Sequence, residues 1–512
     1  MATDTMFPSI DHNQDASIFT QKPRWLLTCL VLLFLLATLI RLKDLRAPGV
    51  LVEREYTSAI FARSFFFEDN QEVEPWRETI ADITSARQPI LEPPLTEFLV
   101  SLIYRLLGKE DFLVARYLTS TFWLVGGIFM YLISQKLLPV DGALLATAYY
   151  LLVPMGILVS RSFQPDALMM MLFLISLYAI LRYFDRPSMA RLLLAAGLSG
   201  LTLLLRPLVI FALFGAFSAL TLYEKRTWRA FFQRPFLVFS LVSLALPVAY
   251  YGYGIFIADF LRWKVASSFR PYLFFRIEFW REWLLVGINE ISYTAFLAAL
   301  LGFPLLRKGL AQALVVGLVI GYFFFGLAFT YHIHTHGYYH LQLIPIIALA
   351  AAPLAMAVIN TLRASSGKFW WLPAGAALFI MLYFGYLQIR ESLYKDTFES
   401  QAIAAEIGEI VNHSDRTVFV AYHYGLPLTY YGEISGTFWP KGITYWFYRQ
   451  PEEKEQSVKE RIMALGFTPE YYVITNFEEY RNLHRDLRDY LVQSCISLAQ
   501  TDQYLIYHSC VQ

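Results

Sequence analysis

The sequence RSFQPDALMMMLFLISLYAILRYFDRPSMARLLLAAGLSGLTLLLRP, from Arg161 to Pro207, decides the fold. It contains two apolar segments, 166–183 and 190–205. Three cations, Arg182, Arg186 and Arg191, lie in and beside the loop that joins them. A bilayer core requires about 20 apolar residues per spanning helix. We therefore predict two membrane-spanning helices in this stretch. Because cytoplasmic loops carry an excess of Lys and Arg, the joining loop is placed on the cytoplasmic side.

The rest of the chain repeats this pattern. Its 512 residues are 57% hydrophobic and only 16% charged, with a mean hydropathy of +0.45, which is typical of polytopic membrane proteins. The predicted fold is a polytopic α-helical membrane protein with about 11 transmembrane helices. The predicted spans are 25–41, 114–136, 141–159, 166–183, 190–205, 207–223, 235–257, 291–306, 310–330, 340–360 and 369–388.

The short loops agree on one orientation, with the N-terminus in the cytoplasm. In that orientation the other inner loops carry Lys136, Lys225, Arg226, Arg229, Arg234, Arg307, Lys308, Arg363 and Lys368. The long outer loops 42–90 and 258–290 also contain cations, but long loops cross the membrane regardless of charge. An odd number of spans then places the C-terminus on the extracytoplasmic side.

This threading predicts three regions. Residues 1–24 are a cytoplasmic tail, 25–389 a transmembrane domain and 390–512 a small extracytoplasmic α/β domain. Inside the transmembrane domain, 42–113 form the first outer loop, which we expect to hold interfacial helices at 57–67 and 93–107. The α/β domain is indicated by helical patterning and short β-like runs. The helical segments are 398–412 and 452–465, and the β-like runs are 417–421, 471–475 and 504–507.

Two of the three cysteines lie close together in the tail. Cys495 and Cys510 flank a segment in which a hairpin turn at Asp502 and Gln503 would set them opposite one another. An extracytoplasmic disulfide is one interpretation. Two unpaired, buried thiols are the other.

Several motifs are missing from the chain, and this restricts its function. A net charge of +1 and the lack of any basic run argue against nucleic acid as a partner. The sequence has no Walker A loop, no GxGxxG after a strand and no DxD-type metal motif. An enzyme with this sequence would have to take its activated substrate from the membrane.

Acidic residues of the first outer loop are candidates for acid–base chemistry. Glu53 and Glu55 precede the aromatic interfacial segment, where partial desolvation would raise the basicity of a carboxylate. Solvated loop charges or helix N-terminal acids are the alternative. Glu92 stands before two prolines that fix its backbone, which suits a rigidly presented acid. Its alternative is an ordinary acid at the start of a helix.

Charged residues also mark the outer ends of later spans. Arg161 and Asp166 lie in one short turn at the mouth of an apolar bundle, where ionisable groups are functional candidates. Capping of the next helix is the alternative for Asp166. Arg206 follows a run of leucines on the same side, where a cation could hold a lipid phosphate.

The outer turn 331–340 is rich in histidine and tyrosine. Alternating histidines can bind a transition metal such as Zn²⁺, and His together with Tyr can hold a phosphate. Plain interfacial histidines are the third interpretation. The residues concerned are His332, His334, His336, Tyr338, Tyr339 and His340.

The order of these features resembles the bacterial GT-C-fold membrane glycosyltransferases. That group includes the protein O-mannosyltransferase-like enzymes, the lipid A aminoarabinose transferases and the lipopolysaccharide-core galacturonosyltransferases. The resemblance covers about residues 25–360. Four features carry it. The first is an acidic first loop that runs to Ala62-Arg63, and the second is a Pro-Pro-Leu element at 93–95, followed by Gly108 and Ala115-Arg116. The third is the Arg161…Asp166 turn with Gly197…Gly200 and Arg206-Pro207, and the fourth is Tyr338-Tyr339-His340-Leu341…Pro345.

The chain departs from the family pattern at two positions. The usual Asp-Glu pair is absent from the first loop, where Glu53-Arg54-Glu55 stands instead. The Lys that commonly precedes Pro-Pro-Leu is replaced by Glu92. Either Glu53 or Glu55 could therefore be the catalytic base. Arg54 or Arg206 would have to replace the missing lysine as the contact to the donor phosphate.

What the resemblance implies is transfer of a sugar from a polyprenyl-phosphate-linked donor to a glycan, lipid or protein acceptor on the outer face, with inversion. Glu55 or Glu53 would act as base, and Asp166 and Glu92 would orient the acceptor or a bound cation. The need for a divalent metal is left open. The residues expected to bind substrate or phosphate are Arg54, Arg63, Glu92, Arg161, Arg206, Tyr338, Tyr339 and His340.

The expected location is a bacterial inner membrane. A transporter or lipid flippase is the rival function, in which the outer charges would line a permeation path. No internal repeat supports that reading, and the charges lie at the outer ends of spans rather than mid-span. A glycan ligase or polymerase acting on lipid-linked oligosaccharide is a further enzymatic alternative.

Overall fold

The computed structural model describes residues 23–46, 52–262, 268–366, 398–439 and 457–508, with isolated positions between 369 and 387. Three predicted segments fall outside the described residues: most of the span 369–388, most of the tail 1–24, and residues 452–456 of a predicted helix. The chain divides into two compact units. The helical unit comprises Met1–Arg46, Ile90–Leu95 and Ala115–Tyr394, and the α/β unit comprises Ala47–Pro89, Thr96–Val114 and Lys395–Gln512.

Apolar helices make up the helical unit. They are α1 (Pro23–Leu42), α5 (Phe112–Leu137, from Ala115 onward), α6 (Val140–Leu152), α7 (Pro154–Ser160), α8 (Asp166–Asp185), α9 (Met189–Leu205), α10 (Ile210–Lys225), α11 (Arg234–Phe256), α12 (Ile277–Ile291), α13 (Tyr293–Gly302), α14 (Leu310–Ala328), α15 (Thr330–Ile333) and α16 (Leu343–Ser366). Short 3-10 turns join several of them.

Among the described residues, seven helices are long and apolar enough to cross a membrane, and two bent helix pairs raise the number to nine. Seven predicted spans correspond to the long helices, and the span 190–205 corresponds to the shorter apolar helix α9. The last described span begins at Leu343 rather than at 340, so the turn before it lies outside the spanning segment. The predicted polytopic helical fold is confirmed.

The two bent pairs have identifiable causes. Between α6 and α7, Val153 is extended because Pro154 follows it, and the two helices meet at 55°. Between α12 and α13, Ser292 has φ 75 and its hydroxyl caps the amide of Ala295. The resulting bend of 96° makes the predicted span 291–306 only the second limb of a broken helix.

Small residues allow close helix contacts in the core of the helical unit. A Cβ on Gly321 of α14 would lie 2.2 Å from the Phe211 carbonyl of α10. Such close approach of backbones is the usual role of glycine between membrane helices. Aromatic rings fill the remaining core, with Phe217 stacked on Phe239 at 3.9 Å between ring centroids.

A five-stranded sheet of order β2-β1-β3-β5-β4 lies in the α/β unit. Its strands are β1 (Thr417–Val420), β2 (Gly436–Phe438), β3 (Tyr471–Ile474), β4 (Ile496–Gln500) and β5 (Leu505–His508). β1 runs parallel to β2 and β3, whereas β5 is antiparallel to β3 and β4. The three predicted β-like runs are β1, β3 and β5, and the predicted small C-terminal α/β domain is present.

The helices of the α/β unit come from both ends of the chain. They are α2 (Val52–Phe67), α3 (Pro75–Arg87), α4 (Leu95–Leu107, from Thr96 onward), α17 (Phe398–Ile410), α18 (Leu426–Tyr431), α19 (Val458–Met463), α20 (Phe477–Asn482) and α21 (Arg485–Ser494). Residues 47–89 and 96–114, which the sequence assigns to an outer loop of the transmembrane domain, are thus grouped with the C-terminal residues. The ring of Tyr56 packs against Tyr430 and Tyr431.

The predicted hairpin of the tail is also present. β4 and β5 pair from Ile496 opposite His508 to Gln500 opposite Leu505. Cys495, directly before β4, is disulfide-bonded, whereas Cys29 of α1 is a free thiol. The predicted partner Cys510 lies outside the described residues.

Candidate functional site

The first residue of α8 and the residue after α9 form a buried ion pair. α8 and α9 are joined by a short loop, so the start of one lies beside the end of the other. α9 ends at Leu205 because Arg206 is extended (φ −148) before Pro207. Arg206 Nη2 donates a 2.7 Å hydrogen bond to the carboxylate of Asp166, whose side chain is therefore engaged by a cation at the helix start.

Glu92 joins this pair as a second carboxylate. Its oxygen lies 3.5 Å from Arg206 Nη1, beyond a good hydrogen bond but within ion-pair range. Only 8% of Glu92, 3% of Asp166 and 7% of Arg206 is exposed. We call these three residues the buried charge cluster. Removing Arg206 would leave two buried carboxylates without their cation, which is strongly destabilising.

The cluster keeps Arg206 charged. Burial disfavours the guanidinium cation, but Asp166 and the nearby tyrosines Tyr339 and Tyr338 outweigh it, and the pKa of Arg206 lies above its usual value. One cation faces two carboxylate groups. Glu92 and Tyr338, which are far apart in sequence, thus come together around one guanidinium.

A cavity of about 20 Å³ opens beside the cluster, enough for one water molecule. Tyr338, Tyr339 and Gln342 line it together with Asp166 and Arg206. The Nε of Arg206 and the Oε1 of Gln342 are buried without a hydrogen-bond partner among the described residues. Buried polar atoms without partners are costly. Here they offer one donor and one acceptor to a small polar group.

His340 supports this site rather than opening into it. Its Nε2 donates to the Ile333 carbonyl at 2.7 Å and its Nδ1 accepts from the Tyr322 hydroxyl at 2.6 Å. Burial lowers the pKa of His340 to about 4, so the ring is neutral. Both ring nitrogens are used. A direct phosphate contact by His340, which the sequence suggested, would require one of these bonds to break.

The other histidines of the turn do not converge on a point. His334 bonds the Thr330 carbonyl at 2.6 Å, and His336 bonds the neighbouring Thr335 hydroxyl at 2.6 Å. His332 lies buried with its Nε2 3.4 Å from the Ser268 hydroxyl. Within the described ranges, no group of three or more His, Cys, Asp or Glu side chains is arranged to hold a metal ion.

Arg161 has a structural partner set of its own. It donates to the carbonyls of Ile40 and Asp44 at the C-terminal end of α1. Arg41, fully buried beside it, donates to the Ser160 hydroxyl at 2.8 Å and to the Leu151 carbonyl at 2.9 Å. These cations satisfy carbonyl groups at helix ends. Arg161 is therefore not part of the buried charge cluster.

The remaining predicted residues lie on α2, in the α/β unit. Glu55 is almost fully buried, with 1% exposed. Glu53 is half exposed and accepts a 2.9 Å hydrogen bond from His423 Nδ1. Arg54 stands between them on the same helix. The structure thus separates the two candidate bases by environment.

Arg63, also on α2, is held by a buried ion pair. Its guanidinium makes two parallel hydrogen bonds to Glu110, at 2.9 and 2.7 Å, and one to the Tyr430 carbonyl. Burial opposes its charge, but Glu110 holds the pKa of Arg63 above its usual value. With these donors occupied, Arg63 ties α2 to the segment before α5 and to α18.

Four contributors to these arrangements were missed in the sequence. Gln342 carried a signal, since it is a polar residue at the start of an apolar helix. Tyr322 sits inside an apolar span with no motif around it. Glu110 and His423 are distant in sequence from the residues they bind, and no pattern in one sequence pairs them.

Comparisons with known proteins agree with this architecture. Residues 91–251 match the family model described as dolichyl-phosphate-mannose-protein mannosyltransferase. No curated protein matches the chain by sequence. The solved structures that resemble the fold include an ArnT and an oligosaccharyltransferase, each 14% identical to this chain. ArnT from Cupriavidus metallidurans, solved in the apo state and bound to undecaprenyl phosphate, has a TM-score of 0.60 over 94% of this chain and 99% of its own.

The second structure is the archaeal oligosaccharyltransferase AglB from Archaeoglobus fulgidus, in complex with an inhibitory peptide and a dolichol-phosphate. It has a TM-score of 0.56 over 91% of this chain and 70% of its own. The apolar helices and these matches identify an integral membrane protein. The chain has the GT-C fold of membrane glycosyltransferases, and its residues 91–251 match the mannosyltransferase family model.

Proposed function

We propose that this chain is a membrane glycosyltransferase that moves a sugar from a polyprenyl-phosphate-linked donor to an acceptor on the extracytoplasmic face. One observation carries the proposal. All three members of the buried charge cluster, Glu92, Asp166 and Arg206, lie inside the segment 91–251 that matches the mannosyltransferase model. The similar structures with bound undecaprenyl phosphate and dolichol-phosphate support a donor of the same class.

Arg206 is the proposed contact to the donor phosphate. Asp166 fixes its guanidinium through Nη2, which leaves Nε without a partner among the described residues and Nη1 at a long 3.5 Å from Glu92. Nε and Nη1 lie on different edges of the planar guanidinium, so each can donate a separate hydrogen bond to an oxygen of the substrate, and the fixed positive charge attracts a phosphate. As the sugar leaves, negative charge grows on that phosphate, and a prepositioned cation stabilises it.

The tyrosines and Gln342 complete this part of the proposal. Tyr338 and Tyr339 line the small cavity with Arg206, and the Oε1 of Gln342 can accept a hydrogen bond there. A phosphate oxygen or a sugar hydroxyl would displace the single water that the cavity can hold. Glu92 would move away from Arg206 or receive a donor group of the substrate.

Glu55 is the proposed general base. It would accept the proton of the acceptor hydroxyl while that oxygen bonds to the anomeric carbon and the carbon–phosphate oxygen bond breaks, which inverts the anomeric centre. The near-complete burial of Glu55 supports this role because a base shielded from bulk water acts on the bound acceptor rather than on solvent. Glu53 is the less suitable candidate, since it is half exposed and held by His423.

The test is a transfer assay with the full chain in nanodiscs. A radiolabelled polyprenyl-phosphate sugar is incubated with an envelope extract as acceptor, and labelled product is separated from labelled lipid. We expect transfer by the wild-type chain and an inverted anomeric bond in the product. No transfer from any of a panel of lipid-linked sugars, or a retained configuration, would contradict the proposal.

The proposed sidedness needs a separate test. The basic loops support a cytoplasmic N-terminus and an extracytoplasmic α/β unit in a bacterial inner membrane. Single cysteines at Lys308 and Asp502 in a chain without native cysteines are labelled by a membrane-impermeant maleimide on intact spheroplasts. Labelling at 502 and protection at 308 is the expected pattern. The reverse pattern would place the acceptor on the cytoplasmic face.

A further inference from the structure

An open groove lies on the α/β unit and is not part of the proposed chemistry. Its volume is about 400 Å³, within the range of small-molecule sites. One wall comes from α3 and the other from the loop after α17 and the start of β3. The lining residues are Thr79, Ile80, Ile83, Val411, Asn412, His413, Ser414, Asp415, Glu470 and Tyr471.

We propose that this groove binds a neutral, hydroxyl-rich saccharide unit of the acceptor. That the saccharide belongs to the acceptor rests on the proposed glycosyltransferase function. Binding of a saccharide in the groove does not depend on that function. Its lining combines apolar side chains with amide, carboxylate and hydroxyl groups, which matches the alternating C–H faces and hydroxyl groups of a sugar ring.

The groove lining itself offers no cation to a phosphate or another anion. No Lys or Arg is among its lining residues, whereas Asp415 and Glu470 contribute carboxylates. Glu470 accepts from the Ser414 hydroxyl at 2.9 Å and lies 3.3 Å from Arg416, which compensates it. Asp415 is left at 3.9 Å from the same guanidinium. Arg87 also donates to the Asp415 carbonyl, so the groove presents hydrogen-bond acceptors whose negative charge is largely balanced from outside the lining.

An exposed tryptophan, Trp76, is stacked on the lining residue His413. The ring of Trp76 stacks on His413 with 4.2 Å between centroids and 26° between planes. Trp76 remains 38% exposed, so part of its indole is available to an apolar sugar face. His413 Nδ1 donates to the Gly432 carbonyl, which fixes the ring under the indole.

Asn412 presents an unused amide to the groove. Its side chain is exposed and makes no hydrogen bond with any described residue. Asn412 and His413 both have φ 49, two consecutive left-handed residues that are not glycine. They form the left-handed C-terminal cap of α17, in which the His413 amide donates to the Gly408 carbonyl. Here they turn the loop so that both side chains border the groove.

The sheet argues against a peptide strand as the occupant. β3, which begins at Tyr471, is paired on both sides, with β1 and with β5. An extended peptide gains most of its affinity by pairing with a free sheet edge. The groove offers no such edge, so recognition there must come from side chains.

The test uses the full chain in nanodiscs on a glycan array that carries neutral, amino and anionic saccharides. We expect binding to neutral saccharides, competition by the same free saccharide and no competition by inorganic phosphate. Asn412→Gly keeps the left-handed backbone but removes the amide, and we expect it to weaken binding about tenfold, as loss of one hydrogen bond would. Asp415→Asn is the second variant and carries the test if the first does not fold.

Asp502→Asn is the matched control, because Asp502 is an exposed acid in the β4–β5 turn of the same unit. It should bind like wild type. No bound saccharide, competition by phosphate or by a short peptide, or full binding by both groove variants would overturn the inference. The array needs no transfer reaction. A chain that binds saccharide here but transfers nothing would therefore contradict only the proposed function.

Discussion

Arg206 donates a 2.7 Å hydrogen bond to Asp166, and both side chains are buried at the junction of two apolar helices. The pair engages Nη2 of the guanidinium, whereas Nε has no hydrogen-bond partner among the described residues and Nη1 lies 3.5 Å from Glu92.

Replacing Arg206 by Lys tests that geometry. A lysine keeps the positive charge but cannot hold Asp166 and present a second planar edge at once. We expect kcat/KM for the lipid-linked donor to fall about 100-fold, which is the usual loss when one charge-stabilising donor is removed. Arg307→Lys, in an exposed loop, is the matched control. Equal activity in both variants would remove Arg206 from the site.

Glutamine at positions 53 and 55 separates the two candidate bases. Glu55→Gln should lower kcat by a factor of about 10²–10⁴, the usual contribution of a general base. The KM for the donor should stay close to that of wild type. Glu53→Gln should change kcat only a few-fold, because His423 already holds the Glu53 carboxylate. Single-turnover transfer of a labelled sugar measures both. Full activity in the Glu55 variant would shift the assignment to Glu53 or away from α2.

His340 should make stability depend on pH. Its pKa is about 4 in the folded chain because of burial, against about 6.5 when unfolded. Below pH 6.5 the unfolded chain takes up the proton first. The stability contributed by neutral His340 is therefore complete above pH 6.5 and is lost as the pH falls toward 4. We expect a loss of roughly 2 kcal/mol at pH 5.

Thermal unfolding of wild type and His340→Asn at pH 7 and pH 5 measures this difference. The variant should be less stable at pH 7 but should lose less between the two pH values. His336→Asn, at a partly exposed histidine of the same turn, should behave like wild type. Identical pH dependence in wild type and the His340 variant would mean that His340 is not a buried neutral group.

The disulfide at Cys495 should stabilise the α/β unit. Cys495→Ser should lower the free energy of unfolding by about 2–4 kcal/mol, as the loss of a native disulfide usually does. Cys29→Ser, at the free thiol of α1, should have no such effect. Thermal melts with and without dithiothreitol measure both. Reductant should lower the melting temperature of wild type and leave the Cys495 variant unchanged.

Glycines between α10 and α14 should not tolerate a side chain. At Gly321 an added Cβ would meet the Phe211 carbonyl at 2.2 Å, which is backbone and cannot move aside easily. We expect Gly321→Ala to lower stability by about 1–3 kcal/mol through overpacking. Gly197→Ala in α9, where a Cβ meets nothing within 4 Å, should be neutral or slightly stabilising.

Hydropathy was sufficient to predict the spans, because a continuous apolar run has few other stable states. The breaks at Val153 and Ser292 were harder to see. Pro154 indicates the break at Val153, whereas the break at Ser292 depends on the positive φ of a single serine. Charged residues that interrupt apolar runs, such as Asp166 and Arg206, could be picked out from the sequence as candidates, and the structure pairs these two side chains. The sequence could not reveal such partners, since the contact between Glu92 and Arg206, for example, joins residues from distant parts of the chain.

The joining of α2 to α18 has a consequence for how the protein is made. Tyr56 leaves the ribosome 374 residues before Tyr430, the ring on which it packs. At a synthesis rate of about 5–20 residues per second, the wait is roughly 20–75 s. During that interval the amino-terminal helices of this unit, with their buried Glu55 and Arg63, have no partner to cover them. Packing of α2 against α18 must therefore wait until most of the chain has been synthesised.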